Sequence, residues 1–249
     1  MFHVLTVFFR LLRRFLLDPV TNTGFSYDLA GNVLTDASVS YAWDAESELN
    51  TAAGLTYTYD GDGRRVQKSS GKLDWYGAIG DILDESDASG NVTDEFVFFG
   101  GKRTARRNIS TGSIYYYLAD HLGTARMIVQ AGQTSPCYDA DFDPFGTEHI
   151  ATNTCPQNYK FTGRERDTET QLDGMDARYY SSQFGRFQSA DWSAIPAPVP
   201  YADLGNPQTL NLYAYVKNNP MNLTDPIRSV ASRTCAVSHH EWRLSNRAH

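Results

Sequence analysis

Aromatic residues recur at Tyr27, Trp43, Tyr59 and Trp75, each sixteen residues after the last. The first three are followed by Asp28, Asp44 and Asp60, and three residues beyond each aspartate comes Gly31, Ser47 or Gly63. Before the aromatics the chain alternates, as in Val39-x-Tyr41-x-Trp43, Leu55-x-Tyr57-x-Tyr59 and Leu73-x-Trp75. Alternation at period two puts the apolar side chains on one face of a sheet. The Asp carboxylate accepts the N–H two residues on, and Gly tolerates the positive φ that closes the turn. The unit therefore reads as strand, turn, strand. One such hairpin is not stable alone in water, whereas stacked neighbours bury a continuous aromatic stripe. The expected fold is mainly β: stacked antiparallel hairpins forming a curved or spiralling sheet.

The strict period loosens after Trp75. Further units are expected around Phe96–Gly101, at Ile114–Tyr117 leading into Asp120–Arg126, and from Tyr138 to Gly146. The 15 Tyr and 13 Phe suit strands, and 19 Gly and 10 Pro punctuate them. At 249 residues the chain can hold one large β domain or two small ones. Its net charge of −7 argues against a nucleic-acid partner, which needs a basic face. Cys137, Cys155 and Cys235 form no C-x-x-C pair, so neither a metal nor another cofactor is expected. A Cys137–Cys155 bridge is one reading; free thiols are the expectation.

The stretch from Phe161 to Pro226 carries a second pattern. Its pieces are Phe161-Thr162-Gly163-Arg164-Glu165-Arg166-Asp167, Ala177-Arg178-Tyr179-Tyr180, Gly185-Arg186-Phe187, Asn211-Leu212-Tyr213-Ala214-Tyr215-Val216, Asn218-Asn219-Pro220 and Asp225-Pro226. In this order they closely resemble the core segment of RHS-repeat (YD-repeat) proteins, and the upstream repeat resembles the YD repeat itself. The resemblance implies a partial RHS shell, in which β-strands wind around a C-terminal region that is often a toxin. It divides the chain into an unmatched apolar and basic leader (1–24), YD hairpins (25–110), the RHS repeat-associated core domain (111–226) and a variable tail (227–249). A short helix is expected near 209–216, ended by Asn218-Asn219-Pro220. Pro196, Pro198 and Pro200 read as an extended connector within the core.

Self-cleaving members of the family resemble aspartyl proteases and cut just beyond the Asp-Pro that ends the core. The resemblance implies Asp191 and Asp225 as the carboxylate pair, with Arg186 as an electrostatic partner. Two like charges at short range do not both ionise, so one carboxylate keeps a proton while the other activates water. Asp191-Trp192 departs from the family's first Asp-Pro, and Asp225-Pro226-Ile227-Arg228 lacks the glycine that usually follows the second. A turn closure is therefore the first reading of Asp225-Pro226, with cleavage the alternative, and no other enzyme chemistry is expected. Asp120-His121 reads as a strand end and turn. His239-His240 near Cys235 reads as adventitious metal binding at most. Arg164, Glu165, Arg166 and Asp167 either pair across strands or form a solvated face.

Residues 1–17 are apolar but carry Arg10, Arg13 and Arg14 inside the run. This fits neither a transmembrane helix nor a signal peptide. A leader from a shortened or shifted reading frame is expected, with a basic amphipathic membrane-contacting helix as the alternative. The resemblance implies a secreted or cell-surface destination, with the rest of an RHS shell or a toxin passenger as partner. The alternatives are a surface module that binds carbohydrate or protein, and a truncated remnant without function. Open sheet edges predict self-association; a single monomer in sedimentation at all concentrations contradicts it.

Overall fold

A computed structural model describes residues 24–155, 157–191, 203 and 205–225. The leader, Trp192, the three connector prolines, and the tail from Pro226 with Cys235, His239 and His240 lie outside the described residues. Hairpins follow one another along the chain. They are β1 (Phe25–Tyr27) with β2 (Val33–Asp36), β3 (Tyr41–Trp43) with β4 (Leu49–Ala52), and β5 (Leu55–Tyr59) with β6 (Arg65–Lys68). Next come β7 (Lys72–Tyr76) with β8 (Ile82–Ser86), and β9 (Val92–Phe99) with β10 (Lys102–Asn108). The last two are β11 (Ile114–Ala119) with β12 (Ala125–Gln130), and β13 (Tyr138–Phe142) with β14 (Glu148–Asn153). Strands β3 to β14 form one 12-stranded antiparallel sheet in sequence order, open at both ends. A bridge between Thr35 and Ser40 joins the first hairpin to it.

The aspartate turns form as the sequence predicts, and the carboxylate does more than expected. Asp44 Oδ1 accepts the N–H of both Glu46 and Glu48. Asp60 does the same for Asp62 and Arg64, and Asp120 for Leu122 and Thr124. Asp120 is thus a turn former, as its motif suggests.

The aromatic at the end of a strand also has a job. Trp43 Nε1 donates to Val33 O, ten residues back, at 2.7 Å, and Tyr59 Oη donates to Leu49 O, again ten back, at 2.9 Å. Each ring ties its hairpin to the one before. The third ring in this role is Tyr76, whose Oη donates to Arg65 O at 2.8 Å. The expected repeat residue Trp75 is instead 50% exposed. The spacing from Tyr59 is one residue longer than the repeat, and a one-residue slip turns every side chain to the other face.

One face of the sheet buries Tyr57, Phe96, Tyr117, Ile128 and Tyr138. The other aligns Val97, Ala105, Tyr116 and Val129 in register across β9 to β12 and leaves Val97 and Tyr116 exposed. Strands β15 (Leu172–Met175), β16 (Arg178–Ser181) and β17 (Arg186–Phe187) form a separate sheet of 3 strands. Leu172 and Tyr179 of this core segment join Val33, Tyr41, Leu49 and Tyr57 in one apolar cluster. Phe161, Tyr180, Phe187 and Tyr215 make a second, against which Leu223 packs. Gly146 permits that cluster: it sits at φ 88°, and a Cβ there would come within 2.6 Å of the Phe161 ring.

Two expectations are corrected. No α-helix spans 209–216; two 3-10 turns, Pro207–Leu210 and Val216–Asn218, overlap the two ends of the stretch instead. The backbone between them pairs with the core segment, through Phe187 N to Tyr213 O and Asp191 N to Leu212 O. That pairing places Tyr213 and Tyr215 in different clusters, overriding local helical preference. Cys137 and Cys155 are not free thiols but a disulfide, with Cα atoms 5.3 Å apart. They flank the β13–β14 hairpin, where Tyr138 pairs with Asn153, so the ladder brings them together.

Candidate functional site

The loop after Phe161 meets strands β6 to β8 through buried charges. Arg65 donates to Glu165 Oε2 and to Asp167 Oδ2, both at 2.7 Å, and to Tyr179 Oη at 3.2 Å. Lys68 donates to Asp167 Oδ1 at 3.0 Å and to Glu169 Oε2 at 2.9 Å. Lys72 donates to Glu165 Oε1 at 2.6 Å. Arg166 forks onto Asp173 at 2.8 and 2.7 Å. Glu165, Arg166 and Asp167 are buried, which overturns the solvated-face reading for these three. Arg164 lies nearer the surface and forks onto Asp176 at 2.6 and 2.7 Å. Desolvating this many charges is costly, and only mutual pairing with good geometry offsets the cost.

Asp74, Glu85 and Glu165 place carboxylate oxygens within 4.8 Å of one another. Their cation is the Lys72 ammonium, 3.0 Å from Asp74, 2.6 Å from Glu85 and 2.6 Å from Glu165. Neither Asp74 oxygen has an aligned hydrogen-bond donor. Burial pushes Asp74 up to about 6, against the pull of Lys72. Burial also raises Glu165, but Lys72 and Arg65 outweigh it and hold that carboxyl below its usual range. Burial likewise lifts Asp173 to about 7 despite the Arg166 fork.

These shifts fix a pH dependence. Asp74 and Asp173 bind protons more tightly folded than unfolded, so their stabilisation is complete below the ordinary Asp range of about 3.9 and is lost as pH rises from there through about 6 to 7. Glu165 works the other way, and its contribution is lost only as pH falls below the ordinary glutamate range of about 4.3. The urea midpoint is expected to rise as pH falls from about 7.5 to about 4.5, and to drop only below about 4. Asp74→Asn is expected to flatten the upper limb; an unchanged slope in that variant contradicts the assignment.

Asp191, Asp225 and Arg186, the residues implied in self-cleavage, have neighbours of their own in the core segment. Asp191 Oδ2 is 3.4 Å from Arg178 Nη2. Arg186 is buried, with its guanidinium 4.9 Å from the centre of the Tyr213 ring. Asp225 lies by Tyr215 and Asp176: burial raises the Tyr215 hydroxyl, and the Asp225 charge adds to the rise in both groups. The core segment thus carries both aspartates, each beside a residue the sequence reading left without a role. Arg178 sits in the Ala177-Arg178-Tyr179-Tyr180 motif, where it was visible in principle.

The Teneurin YD-shell family model matches residues 105–221. The fold is similar to that of the Photorhabdus luminescens Tc holotoxin pore, with a TM-score of 0.59 at 20% identity over 86% of this chain and 11% of that one. A TcdB2–TccC3 crystal structure gives the same TM-score at 20% identity, over 80% and 11%. The chain is a YD-repeat protein of the RHS type.

Among curated relatives, the tRNA nuclease WapA of Bacillus subtilis (strain 168) is 32% identical over 222 residues, 84% of this chain. Toxin subunit YenC2 of Yersinia entomophaga is 41% identical over 73 residues, 29% of this chain. The chain spans only 9% and 6% of their lengths. In this YD-shell segment the buried charges join the strip of hairpins to the core segment. No helix among the described residues is long and apolar enough to cross a membrane.

Proposed function

We propose that this YD-shell segment walls and ends a shell that encloses a polypeptide, such as a toxin, attached beyond Pro226. The observation that carries this reading is the docking of the core segment back onto the strip. Leu223 packs into the Phe161–Tyr215 cluster, so the chain reaches Asp225 while still held against the wall. A passenger attached there starts from a fixed point on the shell. The Cys137–Cys155 bridge supports an extracellular destination, since disulfides persist in oxidising compartments.

We further propose self-cleavage near Asp225, using Asp191 and Asp225 as the carboxylates. The Arg178 guanidinium beside Asp191 supports this, as a cation that orients one carboxylate of the pair. Intact mass after incubation at neutral pH is expected to show a product ending soon after Asp225. Asp225→Asn and Asp191→Asn should each leave the chain whole. A wild-type chain that stays whole for hours sinks the protease role and leaves the shell role standing.

The second reading, a surface for another protein or a glycan, is favoured by one observation. The sheet face opposite the core exposes Trp75, Val97, Tyr116 and Leu118, aromatic and aliphatic side chains suited to contact. Self-association through this face or the open sheet ends belongs to the same reading, and sedimentation across concentrations tests it.

A further inference from the structure

A cavity of about 120 Å³ lies where the turns after β5, β7, β9 and β11 meet the core segment. It has room for several water-sized groups. Five cationic side chains and four carboxylates line it. Most of them are matched. Arg64 lies 2.9 Å from Asp62, Arg65 2.7 Å from Glu165, and Arg164 2.6 Å from Asp176.

Arg103 is different. It is 8% exposed, and among the described residues no carboxylate forms an ion pair with it. Its Nη1 donates to Gly163 O at 3.2 Å, and its Nε has no hydrogen-bond partner. The guanidinium is stacked 3.2 Å from the centre of the Tyr159 ring, with Phe96 and Phe98 at 4.6 and 4.9 Å. Its neighbour Lys102 also ends on a main-chain carbonyl, Asp120 O, at 2.8 Å.

A buried charge needs a counter-charge, and a guanidinium carries five donors in a fork that fits a carboxylate. Ring faces stabilise the cation but fill none of those donors. Lys102 and Arg103 both end on main-chain carbonyls rather than on a carboxylate, so an anion between them would meet two cations. We propose that this cavity is a binding site for a monoanionic carboxylate, with Arg103 as its fork and Lys102 as its second cation. A free carboxylic acid and an acidic side chain of a polypeptide share that chemistry.

The test is a titration of the full chain with acetate, following the Arg103 Nε–Hε resonance by NMR. A saturable shift is expected. Lys102→Gln is expected to weaken acetate binding about tenfold, the loss of one charge-assisted hydrogen bond. Arg103→Gln should abolish the acetate-dependent rise in Tm. Should that variant fail to fold, the wild-type resonance and Lys102→Gln still decide. Tighter binding of acetyl-glutamate amide than of acetate supports a polypeptide side chain as the source, and equal binding a free acid. A resonance that does not move, moves without saturating, or moves as far with chloride overturns the proposal. Tighter binding of inorganic phosphate overturns its carboxylate class.

Discussion

Arg65→Ala is expected to destabilise the chain by about 3–5 kcal/mol, the cost of leaving a buried counter-charge unpaired. Arg65 is the hub of the joint, since it alone reaches Glu165, Asp167 and Tyr179 from the strip. Its guanidinium also lies 5.3 Å from the centre of the Tyr57 ring, so packing is lost together with charge. The surviving carboxylates keep Lys68 and Lys72, but those ammonium groups already serve Glu169, Asp74 and Glu85. Urea unfolding followed by tryptophan fluorescence measures the effect. Arg107→Ala is the control, because the Arg107–Glu95 pair is more than 40% exposed on both sides and contributes under about 1 kcal/mol. Equal losses in the two variants would refute the joint as a stability determinant.

Removing the disulfide has the second largest expected effect. Cys137 and Cys155 are 18 residues apart, and closing a loop of that size restricts the unfolded chain by about 3 kcal/mol. The bridge lies at the free end of the sheet, where β14 has a partner on one side only. A paired Cys137→Ser, Cys155→Ser variant is therefore expected to fray from β14 inward. Cys155 is buried against Tyr138 and Ile128, so fraying exposes apolar surface. Thermal unfolding with and without reductant measures it. Identical Tm values in the two conditions would show that the edge is held by the ladder alone.

The hairpins were legible in the sequence because their causes are local. An aspartate that takes the N–H groups two and four residues on needs nothing outside its own turn. The face of Trp75 was not legible, because one extra residue between Tyr59 and Tyr76 shifts the register while aromatic character continues through both 75 and 76. The buried charges were hidden for a different reason. Arg65 and its partners Glu165 and Asp167 are 100 and 102 residues apart, so no spacing rule connects them. Strand charges also read as a solvated face until a second layer covers them. Disulfide pairing likewise needed the β13–β14 register. Arg178 stood in a motif recognised from its neighbours, and its pairing with Asp191 became visible only in the fold.

The strip of hairpins and the core segment are expected to form one cooperative body, locked by the Arg65 network, so that the chain reaches Asp225 anchored to the wall. Native-state hydrogen exchange tests it most directly. The core amides of Gly174 and Gln188 donate to Glu165 O and Tyr179 O, each at 2.8 Å. They are predicted to exchange with the same opening free energy as the β5–β6 ladder, and Arg65→Ala is predicted to lower both together. Core amides that open at a lower free energy than the ladder, indifferent to Arg65, would contradict the account.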